Sequence, residues 1–320
     1  METREIRLAR RPVGEPVPED FSLATRELGA PGEGEVLVRN RFMSVDPYMR
    51  GRMDDRKSYV PPFELGKALL GGAVGEVGGE LVVHQKGWRE HALVREHQLR
   101  RPVLPDGVPA SAMLGALGMP GMTAWVALTE IAPVREGETV FVSAAAGAVG
   151  SVAGQLARAR GCRVIGTAGG PQKVAFARDE LGFDEVFDYR ADDPREALRD
   201  GIDVYLDNVG GPQLEAAIGA LRRGGRIALC GAVSQYNALS PAPGPRNLAL
   251  LVGKRGTMRG FIVGDHADRE AEFREEIGGL VASGDLTLAE TVVEGGLEAA
   301  PQAFIDMLRG RYVGKVVVAL

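Results

Sequence analysis

The stretch TVFVSAAAGAVGSVAGQLA (139–157) carries the clearest chemical instruction in this chain: a β-branched run enters a glycine turn and leaves it as an alanine-rich helix. Gly147 lets the main chain approach a pyrophosphate and Gly150 lets the helix pack close on the strand, while the open N–H groups of Ala148, Val149 and Gly150 favour an anion. Ala144 to Ala146 replace the first glycine of the usual dinucleotide fingerprint, so a tight turn without ligand stays open as an alternative. An enzyme that takes NAD needs a carboxylate after the second strand to hold the ribose 2′-hydroxyl. The run RVIGTAGGPQKVAFAR (163–178) has no Asp or Glu, and Lys173 lies one step into the following helix, where an ammonium meets a 2′-phosphate. NADPH is therefore the expected cofactor, with an ordinary solvated lysine as the competing reading of Lys173.

The elements that must position these residues follow from punctuation and periodicity. Up to about residue 110 the pattern is short and β-like, with GEVLVRNRF (34–42), GGAVGEV (71–77) and ELVVH (80–84) set between Gly and Pro. From about 138 onward buried strands are expected at 139–143, 162–168, 185–189, 203–209 and 226–233, separated by helices at 151–161, 171–182 and 212–225. That alternation predicts an α/β fold: a doubly wound parallel sheet with its ligand at the carboxyl ends of the strands, beside a β-rich lobe. The segment APQAFIDMLRGRYVGKVVVAL (300–320) reads as a helix and a final apolar strand.

Composition narrows the function further. A 320-residue chain with 45% hydrophobic residues can bury cores for two domains. Lys and Arg (38) nearly balance Asp and Glu (43), which gives no electrostatic footprint for nucleic acid. Residues 107–129 are uncharged and long enough to cross a bilayer, but Pro109, Pro120, Gly115, Gly118 and Gly121 argue for a buried loop and helix and no membrane role. The first residues have no apolar run to serve as a signal peptide, and Cys162 and Cys230 have no neighbouring Cys, so a cytosolic chain with two reduced thiols is expected.

The motifs VDPYMRGRM (45–53), GMPGMTAW (118–125), AAAGAVGSVAGQLA (144–157), DVYLDNVGG (203–211), IALCGAVSQYN (227–237) and GRYVGKVVV (310–318) together resemble the medium-chain dehydrogenase/reductase superfamily. Within it the chain is similar to the zinc-independent prostaglandin reductase and 2-alkenal double-bond reductase group. The resemblance implies a GroES-like domain (1–117, completed by 295–320), a Rossmann domain (118–294) and NADPH between them. It implies that Lys173 and Tyr189 contact the adenosine phosphate end, and that Asn208 and the 230–236 segment, with Cys230, Gly231, Ser234 and Tyr236, line the cofactor; a buried structural thiol is the alternative for Cys230. Phe261, Ile262, Val263 and Tyr312 complete the implied lining, and a homodimer is implied. Three departures stand out: HQKGWREH (84–91) shortens a loop, AGGP (168–171) lacks the Ser usual after its first Gly, and Tyr312 stands where relatives often carry Asn.

Zinc dehydrogenases share the implied fold, so ligands decide the metal question. Four histidines and two distant cysteines supply no four-Cys lobe, and GKALLGG (66–72) lacks a His-Glu pair, so no metal is expected; His84 and His91 could meet on adjacent strands. The expected reaction is reduction of the carbon–carbon double bond of an enone or enal, with a donor for the charge that develops on the carbonyl oxygen. A tyrosine hydroxyl suits this task, and the resemblance puts Tyr236 and Tyr48 in the cleft. Positioning the nicotinamide ribose is an equal alternative for Tyr236, and a core or rim aromatic for Tyr48. Met43, Met119, Met122 and Phe261 are candidate apolar walls, with plain packing as the alternative for the methionines. Quinone reduction, a non-catalytic NADPH-binding protein and a zinc dehydrogenase are the competing functions.

Overall fold

The computed structural model describes residues 1–320, whose strands fall into three sheets. Strands β1 (Glu2–Leu8) and β2 (Phe21–Glu27) form an antiparallel pair. Strands β3 (Glu35–Ser44), β4 (Ala73–Val77), β5 (Glu80–His84) and β6 (His91–Arg95) pair antiparallel around β3, in the stretch where short alternating runs are expected. Val38, Val82, Ala92 and Val94 form a small core of their own, Val74 and Val83 join the large core, and Met43 joins a cluster in which Phe21 and Trp88 stack at 6.0 Å and Phe304 meets both edge-on.

The remaining strands build the sheet that positions the glycine turn. β7 (Thr139–Val142), β8 (Arg163–Ala168), β9 (Glu185–Asp188), β10 (Ile202–Asp207), β11 (Leu221–Leu229) and β12 (Thr257–Gly260) are all parallel, in the order β12-β11-β10-β7-β8-β9. All four residues of β7 are buried, as expected where helices cover both faces of a parallel sheet. The order in which strands are added reverses between β7 and β10, which opens a crevice at their carboxyl ends. The final strands β13 (Glu290–Val293) and β14 (Lys315–Ala319) return to the β-rich sheet, where β14 lies between β13 and β3. The return thus begins at β13, ahead of residue 295.

Two local expectations shift. The helix expected over 212–225 spans Gly211–Ala220, because Leu221 turns extended (φ −59°, ψ 129°) and begins β11, where the guanidinium of Arg222 reaches Asp203 of β10 at 2.6 Å. The uncharged 107–129 stretch forms short turns and the helix Met119–Val126, buried from Pro120 to Val126. No helix is long and apolar enough to cross a membrane.

Candidate active site

The glycine turn closes as a cradle that side chains would fill. Its helix, Ala148–Ala159, starts at Gly147 with no side-chain cap, and its first main-chain bond runs from the Ser151 amide to the Gly147 carbonyl at 2.9 Å. The amides of Ala148, Val149 and Gly150 precede that bond and remain free for an anion. A Cβ on Gly150 would stand 2.2 Å from the Ala144 carbonyl, so only glycine permits this helix–strand approach. Ala144, at the place where the fingerprint's first glycine is missing, takes the left-handed φ of +52° that glycine takes freely. Across the turn, the Gly314 amide donates to the Ala146 carbonyl at 2.7 Å, and Gly314 bridges Gly147. The segment entering β14 therefore forms one wall of the glycine turn.

At the carboxyl end of β8, Lys173 is half-buried and donates from Nζ to the Gly310 carbonyl at 2.8 Å. Burial, and secondarily the Arg190 guanidinium, hold its pKa below the ordinary lysine value. The Tyr189 ring covers Gly169 so closely that a Cβ there would meet it at 2.9 Å. Tyr312 belongs to the same loop as Gly310 and leans on the β-rich lobe's core. The structure thus brings Lys173 and Tyr189 to one crevice end, with a cation and an aromatic face but no carboxylate on β8.

The end of β10 is organised by buried hydrogen bonds. Asp207 Oδ1 accepts the Tyr205 hydroxyl at 2.7 Å and the amides of Val209 and Gly210 at 3.0 and 2.8 Å. Burial raises its pKa, against those three donors. Asn208 is fixed to Ser143 through its amide (2.9 Å) and its side-chain Nδ2 (2.7 Å). The Asp207 carbonyl accepts the amides of Cys230 and Gly231 at 2.9 and 3.0 Å, and Ser234 Oγ donates to the Val209 carbonyl at 2.6 Å. The 230–236 segment is therefore strapped over the turn after β10. A Cβ on Gly231 would lie 3.2 Å from the Tyr236 hydroxyl, which places that hydroxyl over the strand ends. Burial, then the charge of Asp207, pushes the Cys230 thiol up to about 12, so it stays protonated near neutral pH. Residues Phe261, Ile262 and Val263 leave the carboxyl end of β12; Phe261 and Val263 pack on the large core and Ile262 is exposed.

Tyr48 lies in the other lobe, at the start of the short helix Tyr48–Arg52, packed against that lobe's core. Burial, then the charge of Asp46, raises its pKa well above the tyrosine range, opposed by the nearby Arg52 guanidinium. Burial likewise raises Tyr236, against a hydrogen bond from the Ala232 amide. Both hydroxyls are thus neutral donors. Tyr59 acts electrostatically on both Tyr48 and Tyr236 and lies near Cys230, which makes it their common neighbour. Arg52 secures the loop bearing Tyr59: Nε donates to the Pro61 carbonyl at 3.0 Å, and the guanidinium stacks 4.1 Å from the Phe63 ring centroid. Sequence reasoning missed Tyr59 and Arg52, because KSYVPPF (57–63) has no period that reveals a facing direction. Of the expected apolar walls, Met43 and Met122 are buried in cores, whereas Met119 is 39% exposed.

The histidines do not converge. β5 and β6 are not neighbours, so His84 and His91 do not meet on adjacent strands. His84 is held between Asn40 Oδ1 (2.8 Å) and the Lys86 amide (3.0 Å), and burial lowers its pKa to about 4. No three His, Cys, Asp or Glu side chains gather into a metal-binding group.

With this geometry in view, comparison with known proteins gives a consistent result. Residues 4–101 match a family model described as the N-terminal domain of oxidoreductase, and residues 148–280 match one described as zinc-binding dehydrogenase. An NADPH-dependent curcumin reductase of Escherichia coli is 42% identical over 97% of this chain and 95% of its own. A 2-alkenal reductase (NADP(+)-dependent) of Nicotiana tabacum is 39% identical over 98% of this chain and 96% of its own. The crystal structure of CurA from Vibrio vulnificus in complex with NADPH superposes with a TM-score of 0.93 at 42% identity, covering 99% of this chain and 98% of that one. The chain belongs to the medium-chain dehydrogenase/reductase family, among the NADP-dependent oxidoreductases that include the 2-alkenal and prostaglandin reductases.

Proposed function

We propose that this NADPH-dependent oxidoreductase reduces the carbon–carbon double bond of α,β-unsaturated ketones and aldehydes. The observation that carries the reading is that two half-buried, neutral tyrosine hydroxyls, Tyr48 and Tyr236, from different lobes, share Tyr59 as an electrostatic neighbour. NADPH, when bound, supplies the hydride that the β-carbon receives. The glycine turn holds its pyrophosphate through the Ala148, Val149 and Gly150 amides, and Lys173 with Tyr189 holds the adenosine phosphate end. Asn208, Cys230, Gly231, Ser234 and Phe261 to Val263, with Tyr312, line the rest. Tyr236 donates a hydrogen bond to the substrate's carbonyl oxygen, where negative charge develops, and supports its protonation; Tyr48 positions the same oxygen from across the cleft.

In this reading residues 1–117 and the return from β13 onward form the substrate side, and the intervening parallel sheet carries the cofactor. The two cysteines, both free, suit a reducing cytosol. A homodimer joined along the unpaired edge of β12, near exposed Leu250, Val252 and Ile262, completes the assignment, and sedimentation velocity tests it.

The test of function follows NADPH and NADH consumption with enals, enones, quinones and a simple aldehyde, with products identified by mass. Saturated ketone or aldehyde formed with NADPH is expected. Turnover of quinones alone would move the activity to quinone reduction, and silence on every substrate would leave a binding protein.

A further inference from the structure

Beyond Lys173, a second cation stands at the crevice end between β8 and β9. Arg190 follows Tyr189 in the turn after β9, and its main chain is pinned. Its amide donates at 3.0 Å to Asp188 Oδ1, the same oxygen that accepts the Gly170 amide at 3.0 Å. One carboxylate therefore ties together the loops that leave the two strands. The Arg190 guanidinium carbon lies 5.8 Å from the Tyr189 ring centroid, and its Nη1 comes 3.6 Å from the place a Cβ on Gly170 would occupy. Gly170 has a φ of +92°, a conformation in which a side chain of its own would be strained. The space above residue 170 is thus filled from the neighbouring loop by a planar guanidinium.

The surrounding charges point to an anion. Arg190 is the charged group that Lys173 feels, and the two repel each other. Neither side chain is ion-paired; Asp188, which Arg190 also influences, is occupied by two main-chain amides. Two like charges held together on a glycine shelf favour a ligand with two negative charges, and a phosphate monoester has them. A guanidinium can grip such a group through two parallel hydrogen bonds while the Lys173 ammonium supplies a point charge.

We propose that Arg190 is a second cation of the 2′-phosphate site and, with Lys173, sets the preference for NADPH over NADH. The proposal rests on the NADPH reading above and adds a residue to it. The test is calorimetric titration of the full chain with 2′,5′-ADP and with 5′-ADP, in the wild type and in Arg190→Gln, Arg190→Lys and Lys173→Ala. Arg190→Gln is expected to weaken 2′,5′-ADP roughly tenfold and to leave 5′-ADP within about twofold, because only the charged contact is removed. Arg190→Lys recovers part of the loss, and the salt dependence of 2′,5′-ADP binding flattens in Arg190→Gln. Unchanged 2′,5′-ADP binding in Arg190→Gln, with a loss in Lys173→Ala, overturns the Arg190 proposal alone. Equal loss of both ligands in Arg190→Gln overturns it too. A wild type that binds the two ligands equally removes the 2′-phosphate site itself, and both readings fall with it.

Discussion

At the β8–β9 end of the crevice the side chains are charged and reach water: Lys173 is half-buried, Tyr189 is 48% exposed, and Arg190 is exposed. At the β10–β11 end they are neutral, with the half-buried Tyr48, Tyr236 and Cys230 thiol all held protonated by desolvation. The first end can recognise a fixed charge, since it sets two cations beside an aromatic face. The second can respond to charge that appears only during reaction, because a donor in a low-dielectric pocket gains most when its acceptor becomes an anion. In the proposed reading binding and chemistry therefore fall to opposite ends of the crevice, and each can be removed separately.

The sharpest way to break this contrast is at the neutral end. Tyr236→Phe is expected to lower kcat about 100-fold, with KM for NADPH changed less than about twofold, as steady-state kinetics will read. An unchanged kcat would reduce Tyr236 to a positioning role. The same burial predicts a pH profile. Because the tyrosine hydroxyls are raised from 10.0, the donor form persists as pH rises, and kcat should show no alkaline decline below about pH 10. A decline centred nearer neutrality would assign the proton to another group.

At the exposed end, Lys173→Ala is expected to raise KM for NADPH roughly tenfold while kcat and the NADH kinetics hold, an effect that shrinks with added salt. Equal losses for both cofactors would erase the distinction between the two ends. The smallest effect lies between them. Ala144→Gly relieves the left-handed alanine at φ +52° and is expected to stabilise the fold by about 0.5–1 kcal/mol, as chemical denaturation will show, after the extra freedom glycine gives the unfolded chain.

Much of this was legible in the sequence, for reasons that differ by region. The parallel strands could be read because burial on both faces leaves continuous apolar runs, as in TVFV (139–142). The glycine turn could be read because close approach excludes a Cβ at Gly150. The β1–β2 pair escaped notice: ETREIRL mixes polar and apolar residues, and its partner lies across a long loop. β12, a four-residue edge strand with little burial, left no pattern either. At the site, Lys173 was legible from the missing acid on β8. Tyr59, Arg52 and Arg190 reach their places through loops, and a loop's course is set by contacts distant in the chain.

The position of β14 also bears on how the molecule is made. That strand lies inside the β-rich sheet, between β13 and β3, and the segment entering it walls the glycine turn. Strands β3 to β6 emerge from the ribosome early but cannot complete their sheet until residues 315–319 have been synthesised. The parallel sheet, by contrast, is contiguous from β7 to β12 and can assemble first. Closure of the N-terminal lobe is then a late, long-range event, and it builds the last wall of the glycine turn in the same step.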